Sequence, residues 1–454
     1  MGQLRVPQEP VECWFQALRG LRRVTHFRSQ IGTPHSTFTG IPEGDPMSCA
    51  GITALCWHVH RQLDDLECEY LAFVDNWAFV THDPECLLEA TQRLISCCEA
   101  LSLPIDWSKC WSWASSPEAE RRWRDVLRAV GPKDGVQRVK RHQVELGVPF
   151  AYQGRANTKQ RDRRLCDGYL RLQRLRTLHR PVALKAALVQ STVWSSALYG
   201  LEASLLPVTT VHKLRAAAAK AIMGCSQVRS PWLTLSCFNS RCQDPEVFLL
   251  NQCLRAHVRL FYHHRELALN CWQRAAALPM PPTVRGISGP ASVLSALLHR
   301  NGLHMEPCGT IQGPGLHRLA LSKSCPAEVN TFLAAVWQHR LGDEIRHRNG
   351  LGSIYAVDGS ATARILLKLP AWQQAMVAPN VVGSFMSQGS KFKAGLADSP
   401  NCTRCGAHDS KTHRLLECPC LSTVRQAHAH TLHQVRTVTP EWLHAAILTV
   451  PAEQ

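Results

Sequence analysis

The sequence predicts an α+β chain, in which a small β-containing region is followed by a long helical region and a short metal-binding segment. Three observations support this prediction. The run from Tyr70 to Val80 is apolar and aromatic except for a polar pair at its centre, as in a β-hairpin. Apolar residues recur at helical spacing over most of 159–277. Near the end of the chain, cysteines and a histidine cluster between Cys402 and Cys418.

The hairpin is preceded by a loop rich in glycine and proline. This loop runs from Gly40 to Ser48 and leads into a helical pattern over 49–63. Glycine lets the backbone approach a ligand where a Cβ atom would intrude. In the hairpin, Asp75 and Asn76 occupy the centre between two apolar runs. An ordinary loop and an ordinary hairpin turn are the alternative interpretation of the two segments.

In this order, the two segments resemble the palm of a reverse transcriptase. In that family a loop of the form G-φ-P-Q-G-x-x-φ-S holds the template and the incoming nucleotide, and a φ-x-D-D hairpin presents carboxylates to Mg²⁺. Glu43 stands in place of the usual Gln, and Asn76 in place of the second Asp. The resemblance implies an RNA-directed DNA polymerase from a retrotransposon that lacks long terminal repeats. It assigns Asp75 and Asn76 to the catalytic site, Asp75 to Mg²⁺, and the template and nucleotide loop to Gly40, Pro42, Glu43, Gly44 and Ser48.

Two later segments also resemble parts of the palm. The segment from Leu103 to Lys109 is similar to the one whose lysine lies near the triphosphate. Lys109 is therefore a candidate catalytic residue that would protonate the leaving pyrophosphate or offset its charge. A solvated lysine after a strand is the alternative. The segment from Glu145 to Val148 is similar to the short hairpin that ends the palm and grips the primer.

The carboxylates that the resemblance requires are not all present. The family places its first catalytic aspartate on a strand well before the template loop, but the first aspartate here is Asp45, inside the loop. We therefore expect the fingers and the first catalytic strand to be absent and the activity of this chain to be incomplete. Asp75 alone does not assemble a two-metal site, and Asn76 adds only a neutral oxygen. We interpret the pair Asp64-Asp65 as a solvated helix end.

The net charge of +16 and the pI near 9.2 favour a polyanionic partner. Much of the positive charge lies in 155–180, where a thumb would follow the palm. Four apolar residues recur there at helical spacing and are expected to pack, with the arginines facing outward: Leu165, Tyr169, Leu172 and Leu175. The candidate residues for binding RNA or DNA with little sequence preference are Arg161, Arg163, Arg164, Arg171 and Arg174. A basic solvated face that binds nothing is the alternative.

The C-terminal cluster has the spacing C-x2-C-x7-H-x4-C, formed by Cys402, Cys405, His413 and Cys418. Paired cysteines on a knuckle turn, followed by a His/Cys pair about one helical turn apart, are typical of a tetrahedral zinc site. His408 and Cys420 are competing ligands, and free cysteines are the alternative. A similar finger follows the reverse transcriptase in many retrotransposons without long terminal repeats. The alternative function is accordingly a non-enzymatic nucleic-acid-binding protein of retroelement origin.

The remaining patterns bear on the cellular compartment and on a segment that resembles part of a nuclease. The 20 irregularly spaced cysteines favour a reducing compartment, nuclear or cytoplasmic. No signal sequence or apolar span is evident, so we expect neither secretion nor membrane insertion. The segment 354–361 resembles the first strand of a ribonuclease H domain, but no acidic residue follows between Asp358 and Asp398. We therefore interpret 354–361 as a loop in which Asp358 or Ser360 caps a helix over 362–376.

The sequence thus predicts five regions in the 454 residues. They are a partial palm (1–152), a basic thumb-like helical region (153–230), a helical connection (231–395) with a Pro/Gly-rich linker near 279–315, a zinc finger (396–424) and a C-terminal helix or tail (425–454).

Overall fold

The computed structural model divides the chain into two compact units, Met1–Arg141 and His142–Gln454. The structure describes residues 8–24, 26–27, 30–36, 46–128, 139–140, 142–151, 158–224, 230–238, 244–277, 289–315, 317–349, 355–357, 359–381, 386–410, 412–430, 433 and 449–451. None of the helices in these ranges is both long enough and apolar enough to cross a membrane.

The first unit combines helices with short two-stranded sheets. Its helices are α1 (Gln8–Arg19), α2 (Pro46–Arg61), α3 (Pro84–Ala100) and α4 (Pro117–Leu127). Its strands are β1 (Arg22–Arg23), β2 (His26–Phe27), β3 (Gln30–Ile31), β4 (His35–Ser36), β5 (Glu69–Phe73) and β6 (Asn76–Val80). The antiparallel pairs are β1 with β4, β2 with β3 and β5 with β6.

The hairpin predicted around Asp75 is present as β5 and β6. Phe73 pairs with Asn76, which leaves Val74 and Asp75 as a two-residue turn, and Val74 takes a positive φ of 58°. One face of the hairpin packs through Tyr70, Trp77 and Phe79 against a small core of Val59, Leu63 and Ala90. In the described part of this unit, the sheet that carries the Asp75 turn consists of these two strands alone. A polymerase palm therefore remains a prediction.

The pair Asp64-Asp65 lies exposed just after the end of α2, as the sequence predicts, and it also forms hydrogen bonds to other elements. Arg93 of α3 donates to the Asp65 carboxylate at 3.0 Å and to the carbonyl oxygen of Gln62 at 2.7 Å. The Tyr70 hydroxyl of β5 donates to Asp64 at 2.9 Å. The two carboxylates thus connect the end of α2 to α3 and to the hairpin.

The second unit is mainly helical. Its helices are α5 (Lys159–Thr177), α6 (Val182–Leu188), α7 (Ser195–Ala197), α8 (Val208–Met223), α9 (Pro231–Cys237), α10 (Pro245–His263), α11 (Arg265–Ala277), α12 (Pro290–Arg300), α13 (Pro326–Asn349), α14 (Gly359–Lys368), α15 (Ala371–Val381), α16 (Gln388–Lys393) and α17 (Ser422–Ala427). π-Helical turns cover Val189–Trp194 and His413–Glu417, and 3-10 turns cover Leu201–Ala203 and Pro419–Leu421.

The strands of the second unit form three small sheets. They are β7 (His142–Glu145), β8 (Val148–Ala151), β9 (His304–Met305), β10 (Thr310–Gln312), β11 (Arg318–Ala320), β12 (Tyr355–Val357) and β13 (Thr449–Pro451). β7 pairs with β8, β12 with β13, and β10 lies between β9 and β11. The sequence assigns the β7–β8 hairpin to the palm, whereas the structure places it in the second unit.

The helix boundaries follow local signals in the sequence. Gly224 ends α8 with a φ of 69°, as its position after an apolar helix predicts. The side chain of Asp244 accepts hydrogen bonds from the backbone N–H groups of Glu246 and Val247 and so caps α10. The sequence also predicts a helical pair over 248–277 and a helix over 327–346, and these correspond to α10, α11 and α13.

The helical pattern over 182–223 is confirmed but is divided among several helices, because Gly200 takes a φ of 75° and begins a 3-10 turn. Two other predictions of local structure were wrong. The helix expected over 362–376 is divided at Pro370, since proline cannot continue the backbone hydrogen bonds. The segment interpreted as a loop near Tyr355 contains strand β12, and Asp358 lies outside the described residues. The Pro/Gly-rich zone near 279–315, which the sequence predicts to be a linker, contains helix α12 and strands β9 and β10.

A buried ion pair lies at the centre of the second unit. The guanidinium group of Arg215 on α8 donates through Nε and Nη2 to the carboxylate of Asp244, with Nη2 to Oδ1 at 3.3 Å, and the side chains are 4% and 0% exposed. The same guanidinium stacks 3.9 Å above the ring of Trp232, which in turn stacks on Trp337 with ring centroids 4.8 Å apart. The buried carboxylate of Glu246 lies 3.7 Å from Nη2 of Arg215. Because these charges are withdrawn from water, their stability depends on their pairing.

Candidate metal centre and basic surface

The first two predicted metal ligands lie on a tight turn in the second unit. The backbone N–H of Cys402 donates to the carbonyl oxygen of Ala407 at 2.7 Å, and the N–H of Gly406 donates to that of Cys402 at 2.9 Å. Gly406 takes a φ of 76°, a conformation that favours glycine. This turn brings the thiols of Cys402 and Cys405 close together.

The other two ligands are brought together by a π-helical turn over His413–Glu417. The N–H of Cys418 donates to the carbonyl oxygen of His413 at 2.7 Å, five residues earlier. In an α-helix, residues five apart lie about 140° from each other around the axis. The wider turn therefore lets a histidine and a cysteine at x4 spacing meet.

The four side chains form one cluster. The ligand atoms of Cys402, Cys405, His413 and Cys418 all lie within 4.8 Å of one another. The Sγ atom of Cys405 is 3.2 Å from Nε2 of His413 and 3.8 Å from Sγ of Cys418. A tetrahedral zinc ion with Zn–S bonds of about 2.3 Å requires sulfur atoms about 3.8 Å apart. The cluster is thus of a size and donor type that fit a metal ion such as zinc.

The competing ligands are not part of this cluster. His408 and Cys420 are exposed, whereas Cys402, His413 and Cys418 are buried and Cys405 is half-buried. The thiol of Cys420 instead lies 3.4 Å from the carbonyl oxygen of Arg404. The predicted ligand set is therefore the one that the structure brings together.

The turn also favours the thiolate form of one ligand. Backbone N–H groups of Arg404 and Cys405 donate to the sulfur of Cys402 and lower the pKa of this thiol to about 6. A metal ion binds the thiolate and not the thiol, so the turn prepares Cys402 for metal at neutral pH.

An acidic residue that sequence reasoning missed supports the cluster. Asp409 is fully buried and accepts hydrogen bonds from Arg414, with Nε and Nη2 at 2.8 and 2.7 Å, and from the backbone N–H of Gln388. The backbone of Gly389 also approaches closely, since a Cβ atom there would lie 2.6 Å from the carbonyl oxygen of Asp409. The only sequence signal was an aspartate between the two ligand pairs.

The predicted catalytic residues lie in the first unit. Asp75 is exposed in the turn of the β5–β6 hairpin and accepts a hydrogen bond from the side chain of Asn76 at 3.2 Å. Lys109 forms an ion pair with Asp106 at 3.0 Å. The hydrogen bond to Asp106 and the charge of Asp106 raise the pKa of Lys109, and the charge of Asp75 makes the smallest contribution. Asp106 is thus the direct partner of Lys109, and Asp75 interacts with it only weakly.

The magnesium prediction has less support. In the part of the chain that the structure describes, Cys402, Cys405, His413 and Cys418 form a group of three or more possible metal ligands, and Asp75 belongs to no such group. Of the template and nucleotide loop, Gly40, Pro42, Glu43 and Gly44 lie outside the described residues. Ser48 lies in the first turn of α2 and is half-buried. Magnesium binding at Asp75 therefore stays a prediction.

Helix α5 carries the predicted basic surface. Leu165, Leu172 and Leu175 are buried as predicted, and Tyr169 is half-buried against the same core. Helical periodicity was therefore sufficient to identify the packed face.

The prediction that all five arginines face outward was wrong for two of them. Arg161 donates to the carbonyl oxygen of Leu205 at 3.5 Å, and its side chain is only 13% exposed. Arg164 donates to the carbonyl oxygen of Tyr199 at 2.9 Å and lies 4.9 Å from the centre of its ring. Arg161 therefore packs beside Leu205 and Arg164 beside Tyr199, because a long aliphatic stem can cover apolar surface.

The other three arginines remain exposed. Arg163 and Arg174 are exposed along α5, and Arg171 is exposed while donating to the carbonyl oxygen of Thr192 at 2.8 Å. These three side chains form the basic surface of α5.

Comparisons of this chain with protein-family models, curated proteins and solved structures found no match.

Proposed function

We propose that the chain is a reverse transcriptase-like protein of retrotransposon origin that binds RNA or DNA through the phosphate backbone. The observation that carries the proposal is the division of α5 into a buried leucine face and an exposed face with Arg163, Arg171 and Arg174. Guanidinium groups bind phosphate through paired hydrogen bonds, and such contacts carry little sequence information. The net charge of +16 adds a long-range attraction for a polyanion.

The Cys/His cluster has a structural role in this proposal. Four protein ligands complete the tetrahedral coordination of zinc and leave no open position for a reacting group. Zinc there would fix the segment from Cys402 to Cys418 against α16 through the buried Asp409. It would not supply chemistry.

The test is a salt titration of binding to an RNA–DNA duplex and to a single strand. Exchange of Arg163, Arg171 and Arg174 for glutamine removes three charges and preserves helix propensity. We expect weaker binding to both ligands, with a log–log salt slope for the duplex that falls by about 2.7. The matched control exchanges three exposed basic residues outside α5: Arg265, Lys323 and Lys391. If the α5 variant binds like this control, the basic surface of α5 is only a solvated face.

Template-directed polymerisation is a second candidate function. It is favoured by the position of Asp75 in a hairpin turn, with a weak electrostatic interaction with Lys109. Two Mg²⁺ ions would require further carboxylates beside Asp75, because Asn76 offers only a neutral oxygen. We therefore expect the chain alone to show no primer extension.

Primer extension tests this second candidate directly. The wild-type chain, Asp75→Ala and Asn76→Asp are compared on RNA and DNA templates with Mg²⁺ or Mn²⁺. The last variant supplies the second carboxylate of the family hairpin. Template-dependent incorporation by the wild type above that of Asp75→Ala would establish the polymerase and contradict our expectation.

A further inference from the structure

A second basic feature lies at the end of α5, away from Arg163, Arg171 and Arg174. The chain turns there from α5 into α6, and α15 closes the other side of a groove of about 1010 Å³. Its volume is at the upper end of the range for sites that bind a small ligand. The described lining residues all come from the second unit.

The groove is positively charged. Arg176, Arg180 and Lys185 line it together with the ring of His179, and none of the described lining residues is acidic. Arg176 and Arg180 are exposed, whereas Lys185 is buried. Guanidinium groups on a concave surface attract a chain of phosphates more strongly than on a flat one, because the low-dielectric walls focus the field.

Lys185 also has a structural role. Its ammonium group donates at 3.2 Å to the carbonyl oxygen of Arg176, in the last turn of α5. Gly224 allows this approach, since a Cβ atom there would lie 3.3 Å from Nζ of Lys185. A lysine at a helix C-terminus stabilises the helix end. The amine therefore holds the turn between α5 and α6 and leaves Arg176 and Arg180 as the accessible charges.

An aromatic side chain stands at the same groove. Trp372, in the first turn of α15, lines it with its side chain 64% exposed. An indole is a good surface for stacking of a nucleic-acid base. In a duplex the bases already stack on one another, so only an unpaired base can use this ring.

We propose that this groove binds a single-stranded segment of nucleic acid, with its phosphates on Arg176 and Arg180 and one base stacked on Trp372. The inference rests on the proposed nucleic-acid binding and adds a preference for single strands that the basic surface of α5 does not provide. Backbone charge together with aromatic stacking is the combination by which proteins bind single strands without reading sequence.

The test uses the full chain and fluorescence anisotropy with a labelled 12-mer of uridylate and a blunt duplex of equal length. Trp372→Leu removes the stacking surface and keeps an apolar side chain of helix-forming type. We expect it to weaken binding to the single strand by about 5-fold to 150-fold, with no change in the salt slope and none in duplex affinity. Tyr262→Leu, at an 80% exposed aromatic residue on α10, is the matched control and should change neither affinity.

A second set of variants tests the phosphate contacts separately from base stacking. Exchange of Arg176 and Arg180 for glutamine should lower the salt slope for the single strand by about 1.4. Circular dichroism and thermal unfolding identify any variant that fails to fold, and Trp372→Tyr, which keeps an aromatic ring, should recover most of the single-strand affinity.

Three results would overturn the inference. Trp372→Leu could bind the single strand as tightly as Tyr262→Leu does, or it could lose duplex affinity to the same extent. Alternatively, inorganic phosphate or uridine monophosphate could displace the 12-mer at micromolar concentration, which would mean that the groove takes a single phosphate group and not a strand. Loss of duplex binding on exchange of Arg163, Arg171 and Arg174, with no effect of Trp372→Leu, would leave the proposed function standing without this groove.

Discussion

The buried carboxylate of Asp409 accepts two hydrogen bonds from the guanidinium group of Arg414, at 2.8 Å from Nε and 2.7 Å from Nη2. Burial opposes ionisation of this carboxyl, but Arg414 and the N–H of Gln388 more than compensate and lower the pKa of Asp409. Asp409 stays ionised at neutral pH and connects the metal-binding segment to α16. The position of the ligand cluster therefore depends on a residue that is not a ligand.

Replacement of Asp409 by asparagine should weaken metal binding. The amide keeps the size of the side chain but cannot neutralise the charge of Arg414. Only its oxygen can accept hydrogen bonds from the three N–H donors, because its NH2 group is itself a donor. We expect zinc affinity to fall by about 10-fold to 100-fold, as is usual when a group that supports metal ligands is lost. Competition with a chelating dye measures the zinc affinity of each variant. Asp398→Asn, at an exposed carboxylate before the cluster, is the control, and equal affinities in the two variants would contradict the expectation.

One tightly bound zinc ion per chain is the second prediction. Because ligand deprotonation and folding are coupled to metal binding, a chelator should unfold the segment around Cys402 to Cys418 and leave the helical core intact. Atomic absorption gives the stoichiometry, and hydrogen exchange with and without chelator gives the location of the change.

Serine variants test the ligand assignment for this zinc ion. Cys402→Ser should lower the zinc content, whereas Cys420→Ser should not, because Cys420 is exposed and outside the cluster. Zinc content that is unchanged in Cys402→Ser, or absent from the wild type, would mean that the site is assigned wrongly.

The third prediction concerns the contact between α5 and α7. A Cβ atom on the buried Gly168 would lie 2.7 Å from Cβ of Ala197. Gly168→Ala should therefore lower the free energy of unfolding by about 1 to 3 kcal/mol, although alanine has the better helix propensity. Ala197→Gly in the same chain removes the clash and should recover part of the loss. Chemical denaturation of the two single variants and the double variant measures this, and additive losses would show that the two positions do not contact each other.

The buried ion pair gives the fourth prediction. Asp244→Asn can still cap α10 through its side-chain oxygen, but it removes the nearer of the two buried carboxylates beside Arg215 and leaves Glu246, at 3.7 Å from Nη2. We expect a loss of about 3 kcal/mol in the free energy of unfolding. Asp343→Asn, at a half-exposed carboxylate 3.4 Å from His339, should cost less than about 1 kcal/mol. Equal losses in urea denaturation would indicate that the pair is not isolated from solvent.

Local patterns in the sequence were sufficient for much of the helical region and for the ligand set. The buried face of α5 follows from the spacing of Leu165, Leu172 and Leu175, and the end of α8 follows from Gly224. The four predicted ligands meet because their spacing within a short segment already limits where they can lie.

Contacts between distant residues could not be predicted in the same way. Arg164 meets Tyr199, which is 35 residues away, so no periodicity indicates that this arginine is withdrawn from the surface. Strand β12 pairs with β13, and neither short segment has an alternating pattern long enough to identify its partner. Whether other carboxylates lie close enough to Asp75 to share a metal ion depends on the surrounding fold. The sequence pattern around one hairpin does not determine that fold.

The π-helical turn over His413–Glu417 has a consequence for how this segment can vary. The π-helical turn contains one residue more than an α-helical turn. It therefore accommodates an inserted residue without rotating the following residues around the helix axis. Deletion of one residue between His413 and Cys418 would leave ligands four apart, which an ordinary α-helix places within about 40° of each other. A π-helical turn therefore brings the ligands of an H-x4-C spacing together, and an α-helical turn does the same for an H-x3-C spacing. A difference of one residue between the two ligands does not by itself indicate a different metal site.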